Sequence, residues 1–249
     1  TRAAARAAME AYGDQEPWFG LEQEYTKLAP DTKWPFGFPP HGFPGPHGPD
    51  YCGVGAVKIA GRDLVEEHTT MCIEAGLAIS GTNAEVMPGQ WEFQIGPADT
   101  VTVGDHLWVA RYLLFRLAEN HDVEVSIEAK PMKGDWNGAG MHTNFSTTAM
   151  RENYDSIIAA CEAMGADGVP ERHLAGYGTG IEDRLTGAHE TQRYDQFSYG
   201  VSDRGASIRI PWQVAQDGKG YIEDRRPNAN ADPYVVATLL TNTICSSLA

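Results

Sequence analysis

The chain has 249 residues, 42% of them hydrophobic and 21% charged, which is typical of a globular protein that can bury a core without disulfides. Its formal net charge of −15 disfavours a nucleic-acid partner, because phosphate backbones bind to basic surfaces. There is no apolar stretch of about 18 residues, so we expect no membrane span. The four cysteines show no C-x-x-C spacing, which favours a reducing, cytoplasmic location.

The first half of the sequence predicts helices and strands around one long irregular segment. We expect an alanine-rich helix at residues 3–12 and a strand at 18–28. Repeated prolines exclude regular structure from residues 30–55, and the aromatic residues among them predict a packed surface loop. Asp63 is predicted to cap the next helix, and residues 79–95 to form a hairpin.

The second half continues this mixture. Asp105 is predicted to cap a helix at residues 107–118 that is apolar on nearly every face, which indicates a central core helix. The remaining predicted elements are a strand at 123–127, a glycine-rich turn and strand over 136–146, a helix at 151–164, short strands at 207–211 and 221–225, and a last helix from Asp232-Pro233 to about residue 246. The order of these helices and hairpins along the chain predicts an α+β fold with a largely antiparallel sheet, in one domain spanning residues 1–249.

Two strands carry polar side chains that repeat at every second position. Glu22 and Glu24 face the same side of the first strand, since residues i and i+2 share a face. His142, Asn144 and Ser146 share a face in the same way. The histidine could ligate a metal, and the two polar groups could receive a phosphate or a ribose. A solvated strand face and a structural histidine are the alternatives.

The predicted hairpin adds two more carboxylates. If Pro88 and Gly89 are its two loop residues, Glu85 lies directly opposite Glu92. Opposed side chains are about 5 Å apart, and like charges there are destabilising. A bound Mg²⁺ or Mn²⁺ would remove that conflict. The alternative is an exposed hairpin that tolerates the repulsion.

Arginines cluster in the last third of the chain. Strand alternation puts Tyr221, Glu223 and Arg225 on one face, which could hold a nucleotide–metal complex through a stacked base, a cation and a phosphate. Arg184 and Glu190 flank a polar loop that could close over a site. The alternative is a salt-bridged surface strand. Acids for metals together with arginines for anions indicate chemistry on phosphate and carboxylate substrates.

These motifs, in this order, resemble the catalytic domain of glutamine synthetases of type II, the eukaryotic-like family. The resemblance covers essentially the whole chain. The matching segments are WFGLEQEY (18–25), GPHGPDYCG (45–53), NAEVMPGQWEFQ (83–94), GAGMHTN (138–144), LTGAHE (185–190) and EDRRP (223–227). KGDWN (133–137) and YGVSDR (199–204) are similar to bacterial members.

The resemblance implies a curved antiparallel sheet and an ATP-dependent ligase that joins ammonium to the γ-carboxylate of glutamate through γ-glutamyl phosphate. It implies two or three Mg²⁺ or Mn²⁺ ions per site, with these ligands: Glu24, Glu85 and Glu92 beside the substrate carboxylate, and Glu22, His142 and Glu223 beside the ATP phosphates. Its substrate residues are Asn137, Gly138 and Arg184 for glutamate, with Arg204 near the reacting end. The remaining implied residues are Arg209 and Arg225 for the phosphoryl group, Trp18, Asn144, Ser146 and Tyr221 around the nucleotide, and Glu190 on a closing flap.

The family also carries a β-grasp domain before this region, which this sequence, beginning at Thr1 rather than Met, does not contain. We therefore expect an incomplete, inactive site in the chain alone. The resemblance further implies a cytoplasmic homo-oligomer of stacked rings, a decamer, with sites between subunits. Three alternatives stay open at this point: a ligase of the same fold that uses another amine, a non-catalytic relative, and an unrelated metal-dependent phosphohydrolase.

Overall fold

One mostly antiparallel sheet with flanking helices is built from the described part of the chain. The computed structural model describes residues 1–249 except Phe43, Pro46, His47, Pro49, Asp50, Ala56, Val57 and Ala249. The strands are β1 (Trp18–Leu28), β2 (Ile79–Ala84), β3 (Gln90–Ala98), β4 (Glu124–Ser126), β5 (Met141–Ser146), β6 (Tyr199–Val201), β7 (Ile208–Ile210) and β8 (Ile222–Asp224). The helices are α1 (Arg2–Tyr12), α2 (Arg62–Glu74), α3 (Thr102–Ala118), α4 (Tyr154–Met164), α5 (Val169–Leu174), α6 (Ile181–Arg184), α7 (Trp212–Asp217) and α8 (Pro233–Leu240). The α+β, largely antiparallel prediction is confirmed.

Strand β1 lies in the middle of the sheet and pairs with β3 on one side and with β5 and β4 on the other. The strand order is β2-β3-β1-β5-β8-β7-β6, and the described pair β6–β7 is parallel. Glu24 lies opposite Glu92 across β1–β3, and Glu22 lies opposite His142 across β1–β5. The pairing therefore brings acids from distant parts of the sequence together on one face.

The opposite face of β1 belongs to the hydrophobic core. Leu21 and Tyr25 alternate with the acids and pack in one cluster with Phe93 of β3 and the apolar side of α3. Burying each such side chain stabilises the fold by about 1.5–3 kcal/mol. Between them, Gln23 accepts hydrogen bonds of 2.8 and 2.6 Å from the buried guanidinium of Arg111 on α3. The core thus fixes β1 so that its acidic face points away from α3.

Helix α2 does not begin where the sequence predicted. Its N-cap is Gly61, in the left-handed region at φ 72°, and the helix starts at Arg62. The prediction that Asp63 is the cap was wrong. The buried ammonium of Lys27 donates to the carbonyls of Ala60 and Gly61, at 2.9 and 2.6 Å, and so fastens this helix start to β1.

Helix α3 also begins earlier than predicted. Asp99 accepts hydrogen bonds of 2.9 Å from the backbone N–H groups of both Val101 and Thr102, and so satisfies donors that the first turn leaves unpaired. The predicted cap, Asp105, lies one turn further on and forms an ion pair of 2.7 Å with Arg2 of α1. The prediction of an Asp105 cap was therefore wrong.

The prediction that α3 is a central core helix was wrong for one of its sides. Trp108, Tyr112 and Phe115 follow one another at helical spacing on an exposed side, and Tyr112 is 65% exposed. Apolar residues on all faces of a helix do not distinguish a central helix from one that leaves a side uncovered.

The irregular segment was predicted correctly for the described residues of 30–55, which contain no helix or ladder strand. Its aromatic residues pack: the ring centroids of Phe38 and Trp136 lie 5.0 Å apart. Phe43 and parts of the 45–53 motif fall outside the described residues. Among the helices of the described chain, none has the length and apolar character that a membrane crossing requires.

Candidate active site

Three carboxylates, from β1, from β3 and from the loop between β2 and β3, form the first ligand cluster. Glu24, Glu85 and Glu92 each offer an oxygen within 4.8 Å of the others. Glu24 and Glu92 are buried, and Glu85 is partly buried. Glu24 also accepts a hydrogen bond of 2.6 Å from the backbone N–H of Gly140, which ties this cluster to the glycine-rich turn before β5.

The hairpin reaches this arrangement through a different register from the one predicted. Asn83 lies opposite Glu92, and the N–H of Glu85 donates to the carbonyl of Gln90 at 2.9 Å. The loop is longer than the two residues Pro88 and Gly89, so the prediction that Glu85 directly faces Glu92 was wrong. The two acids are diagonal neighbours on the same face, which still lets them converge.

The second cluster joins three strands. Glu22 of β1, His142 of β5 and Glu223 of β8 offer ligand atoms within 4.8 Å of one another. The imidazole Nδ1 lies 3.6 Å from Glu22 and 3.4 Å from Glu223. Burial and the neighbouring Arg225 hold the pKa of His142 well below its usual range, so the ring is neutral, which is the form that ligates metals.

Ionising all three acids of the first cluster is unfavourable when no cation is bound. Burial, with repulsion from the neighbouring acids, raises the pKa of Glu92 to about 10 and that of Glu85 to about 8. Burial raises the pKa of Glu24 to about 7, although Arg184 opposes this shift. A divalent cation would offset both the desolvation and the repulsion. The residues present therefore fit a divalent metal with oxygen ligands.

Guanidinium groups lie beside the second cluster. Arg209 and Arg225 both donate to the carboxylate of Glu223, at 2.9 and 2.6 Å. Arg225 also donates to the backbone carbonyl of Glu190 at 3.2 Å, and Arg204 forms an ion pair of 3.2 Å with the Glu190 side chain. One cavity of about 290 Å³ is lined by these five residues, Glu190, Arg204, Arg209, Glu223 and Arg225, and by the other members of both ligand clusters. The arginines predicted for anions and the acids predicted for metals therefore share one site.

Arg184 lies in the same cavity but is more enclosed than the sequence indicated. It is buried, and it donates to backbone carbonyls, to Asn228 and to the Nε2 of His142 at 3.0 Å. Asn137 and Gly138 line the cavity beside it. A Cβ at Gly138 would lie 2.6 Å from the carbonyl oxygen of Ala129 and 2.7 Å from Arg184, so a side chain there would have to displace its surroundings.

The four residues predicted for the nucleotide lie outside the described lining of that cavity. Trp18 is 47% exposed, with the guanidinium of Arg151 stacked at 4.0 Å from its ring centroid. Tyr221 is 40% exposed, and Ser146 donates to the carbonyl of Gly220 at 2.6 Å. Asn144 donates to Glu22 at 2.8 Å, so it contacts the second cluster directly.

The cavity also contains side chains to which sequence reasoning gave no role. Its other polar lining residues are Tyr51, Cys52, Asn83, Gln94, His189 and Thr191. Two of them could have been found, because Asn83 and Gln94 lie two residues from Glu85 and Glu92 and so share their face. The others come from loops, whose side-chain directions have no short period.

Comparison with known proteins identifies the family. The family model described as glutamine synthetase, catalytic domain, matches residues 2–164. A glutamine synthetase from Streptomyces viridochromogenes is 63% identical over 248 residues, which cover 100% of this chain and 72% of that protein. The chain belongs to the glutamine synthetase family. One from Emericella nidulans is 55% identical over 245 residues, covering 96% of the chain and 67% of that protein.

Glutamine synthetases make glutamine from glutamate and ammonia at the expense of ATP, and this chain is a glutamate–ammonia ligase of that type. The family requires ATP and a divalent metal, which agrees with the two ligand clusters. The alternatives of a non-catalytic relative and of an unrelated phosphohydrolase are therefore set aside. A glutamine synthetase from Medicago sativa is named as a cytosolic isozyme. It is 54% identical over 229 residues, which cover 91% of this chain and 64% of that protein.

Proposed function

We propose that residues 1–249 act as a single catalytic domain in which the two ligand clusters and the arginines hold glutamate, ATP and two or three Mg²⁺ or Mn²⁺ ions. The observation that carries the proposal is their convergence on one cavity. Glu24, Glu85 and Glu92 would hold the metal beside the glutamate carboxylate. Glu22, His142 and Glu223 would hold the metal beside the phosphates. Oxygen-rich ligand sets favour Mg²⁺ and Mn²⁺, and an imidazole is compatible with Mn²⁺.

When bound, such cations neutralise phosphate charge and orient the reacting oxygens. The chain's own residues supply the rest of the positioning. Asn137, Gly138 and Arg184 receive glutamate, and Arg204 lies near its reacting end. A carboxylate is a poor electrophile, so the γ-carboxylate oxygen first attacks the γ-phosphorus of ATP, and ADP leaves with the electron pair of the broken bond. The product of this step is γ-glutamyl phosphate.

Arg209 and Arg225 stabilise the charge that moves with the phosphoryl group. Both are held at Glu223, so their positions are fixed before the substrate arrives. Preorganised donors of this kind need little reorganisation during the reaction, which makes them effective in phosphoryl transfer. The nucleotide lies across Trp18, Asn144, Ser146 and Tyr221, with the exposed ring of Tyr221 available to the base.

Glu190 serves the second step, in which ammonia attacks the acyl phosphate and phosphate leaves. Its segment is strained, because His189 and Glu190 both have positive φ values, 53° and 59°. Such backbone costs on the order of 1–3 kcal/mol per residue and persists where the surroundings hold it. Arg204 and Arg225 supply those contacts. The held segment excludes water, which would hydrolyse the acyl phosphate, and the Glu190 carboxylate accepts a proton from the attacking amine.

We propose that the chain acts in the cytoplasm as a homo-oligomer of stacked rings, a decamer, with each site completed by a neighbouring subunit. The exposed, polar entrance of the cavity supports a second surface closing over it: Glu190 and Arg204 have side chains that are 48% and 45% exposed. Light scattering in solution measures this directly. A monomer at micromolar concentration with full activity would contradict the proposal.

The role of Glu190 is tested by Glu190→Gln in an assay that also supplies the β-grasp domain of the family. We expect glutamate-dependent ATP cleavage to continue, while glutamine formation falls by about 10²-fold, because removal of a general base typically costs 10²–10⁴. Phosphate and glutamine are measured in the same reaction, and Glu182→Gln on α6 is the matched control. An equal fall in both products would contradict the assignment. Competition between ammonium and methylamine tests the amine, and ammonium should win.

A further inference from the structure

Every carboxylate of the two ligand clusters that lies on β1 or on the β2–β3 hairpin accepts a hydrogen bond from a side-chain amide. The four bonds are Asn144 Nδ2 to Glu22 at 2.8 Å, Gln90 Nε2 to Glu24 at 3.2 Å, Asn83 Nδ2 to Glu85 at 2.8 Å, and Gln94 Nε2 to Glu92 at 2.8 Å. Each amide bonds to one oxygen of its carboxylate. Each of the four acids therefore has one amide partner, and the four amides lie on β2, β3 and β5.

The strand geometry places these amides without any special loop. Asn83 and Glu85 are two residues apart, as are Glu92 and Gln94, so each pair shares a face. The sheet also leaves room for the Gln94 side chain. A Cβ at Gly81, on the neighbouring strand, would lie 2.9 Å from Gln94 Oε1 and force it to move. The lack of a side chain at Gly81 therefore leaves space for this amide.

An amide is a donor that suits a carboxylate which must also ligate a cation. A lysine or arginine in the same place would offset part of the carboxylate's charge, as Arg209 and Arg225 do at Glu223, and would compete with the metal for its oxygens. An amide N–H is neutral and does not titrate, so it orients one oxygen and leaves the full charge for the cation. Partners that orient metal ligands in this way typically change metal affinity by 10–100-fold when they are removed.

Gln90 connects the first cluster to the proposed glutamate site. Its Nε2 donates to Glu24 and also to the backbone carbonyl of Gly138 at 2.9 Å. The residue is 2% exposed, and its Oε1 is buried without a protein partner. Two acceptors at Nε2 fix the orientation of this amide, so one side chain links a metal ligand to the backbone beside the substrate.

We propose that Asn83, Gln90, Gln94 and Asn144 are positioning residues for the divalent cations. Each fixes one oxygen of its glutamate, so that the other oxygens converge on the metal. The inference rests on the proposed metal ligands. What it adds is which amide sets the cation affinity of each of the two clusters. It therefore has a readout that does not depend on activity.

The experiment is a Mn²⁺ titration by calorimetry, without nucleotide, of the wild type, Gln94→Leu, Asn83→Ala and Asn144→Ala. We expect Gln94→Leu and Asn83→Ala to weaken one Mn²⁺ site by about 10-fold and leave the other unchanged. Asn144→Ala should weaken the other site. Gln213→Leu is the matched control, because Gln213 on α7 is exposed and donates to Asp217 at 2.8 Å, which belongs to neither cluster.

The outcomes separate this proposal from the one on which it rests. Glu92→Gln is titrated in parallel, and loss of one Mn²⁺ site there supports the ligand assignment. If that site is lost while Gln94→Leu and Asn83→Ala both bind as the wild type does, the positioning proposal is wrong and the ligand assignment stands. If Glu92→Gln keeps both sites, the ligand assignment itself is wrong. A uniform weakening of both sites together with a lower metal-free melting temperature indicates a structural role and overturns the proposal.

Discussion

Replacing Glu92 by glutamine should stabilise the metal-free protein and weaken its stabilisation by metal. Glu92 is 5% exposed, and burial together with Glu22, Glu24 and Glu85 raises the pKa of its carboxyl group from 4.5 to about 10. Glutamine has nearly the same shape, carries no charge, and can still accept from Gln94. The substitution therefore removes the electrostatic conflict with little change in packing.

The magnitude follows from proton linkage. An acid whose pKa is raised by folding binds its proton more tightly in the folded state, so stability falls as the pH rises from the unfolded pKa near 4.5 to the folded value near 10. Each pH unit in that window is worth about 1.4 kcal/mol. At pH 7 the conflict costs about 3 kcal/mol, and the variant should regain an amount of that order in the free energy of unfolding.

Urea denaturation with EDTA at pH 5.5 and pH 8, repeated with saturating Mn²⁺, measures both effects. The variant should exceed the wild type most clearly at pH 8 in EDTA and gain less from Mn²⁺. Glu152→Gln, at an exposed position, is the control and should match the wild type throughout. A metal-free Glu92→Gln protein no more stable than the wild type at pH 8 would refute the reasoning.

Two further predictions concern residues that support the site. Burial lowers the pKa of Lys27 from 10.5 to about 7, so the wild type loses stability as the pH falls from 10.5 to 7. In urea denaturation between pH 7 and 10, the free energy of unfolding of Lys27→Met should therefore depend less on pH than that of the wild type. A Cβ at Gly140 would overlap Nη2 of Arg184 and lie 2.9 Å from Nε2 of His142. Gly140→Ala should therefore lower glutamine formation by about 10²-fold while the circular dichroism spectrum stays that of a folded protein, and unchanged kinetics would contradict this close packing.

Much of the local structure and the ligand types could be read from the sequence. Strand β1 was predicted at its observed limits, because an unbroken strand pattern between turn residues is a local property. The same period of two placed Glu22 and Glu24 on one face. The last helix begins where Asp232 and Pro233 indicate, since capping involves only neighbouring residues: Asp232 accepts from the N–H of Tyr234 at 2.9 Å.

Local patterns failed where two candidates competed for one role. Asp63 and Asp105 both resembled helix caps, but Gly61 and Asp99 define those helix starts. Capping statistics cannot choose between candidate residues that lie a few positions apart. The choice depends on how the chain enters the helix, and for α2 that entry is fixed by the distant ammonium of Lys27.

The sequence by itself determined which residue types are present and which neighbours share a strand face. Only the tertiary structure decided that Glu24 faces Glu92, that Glu85 lies opposite Gln90 rather than Glu92, and that an amide contacts each of these acids. The reason is that side-chain direction along a strand is set by its own backbone, whereas register is set by pairing between segments far apart in the chain. That pairing is selected by the packing of the whole core.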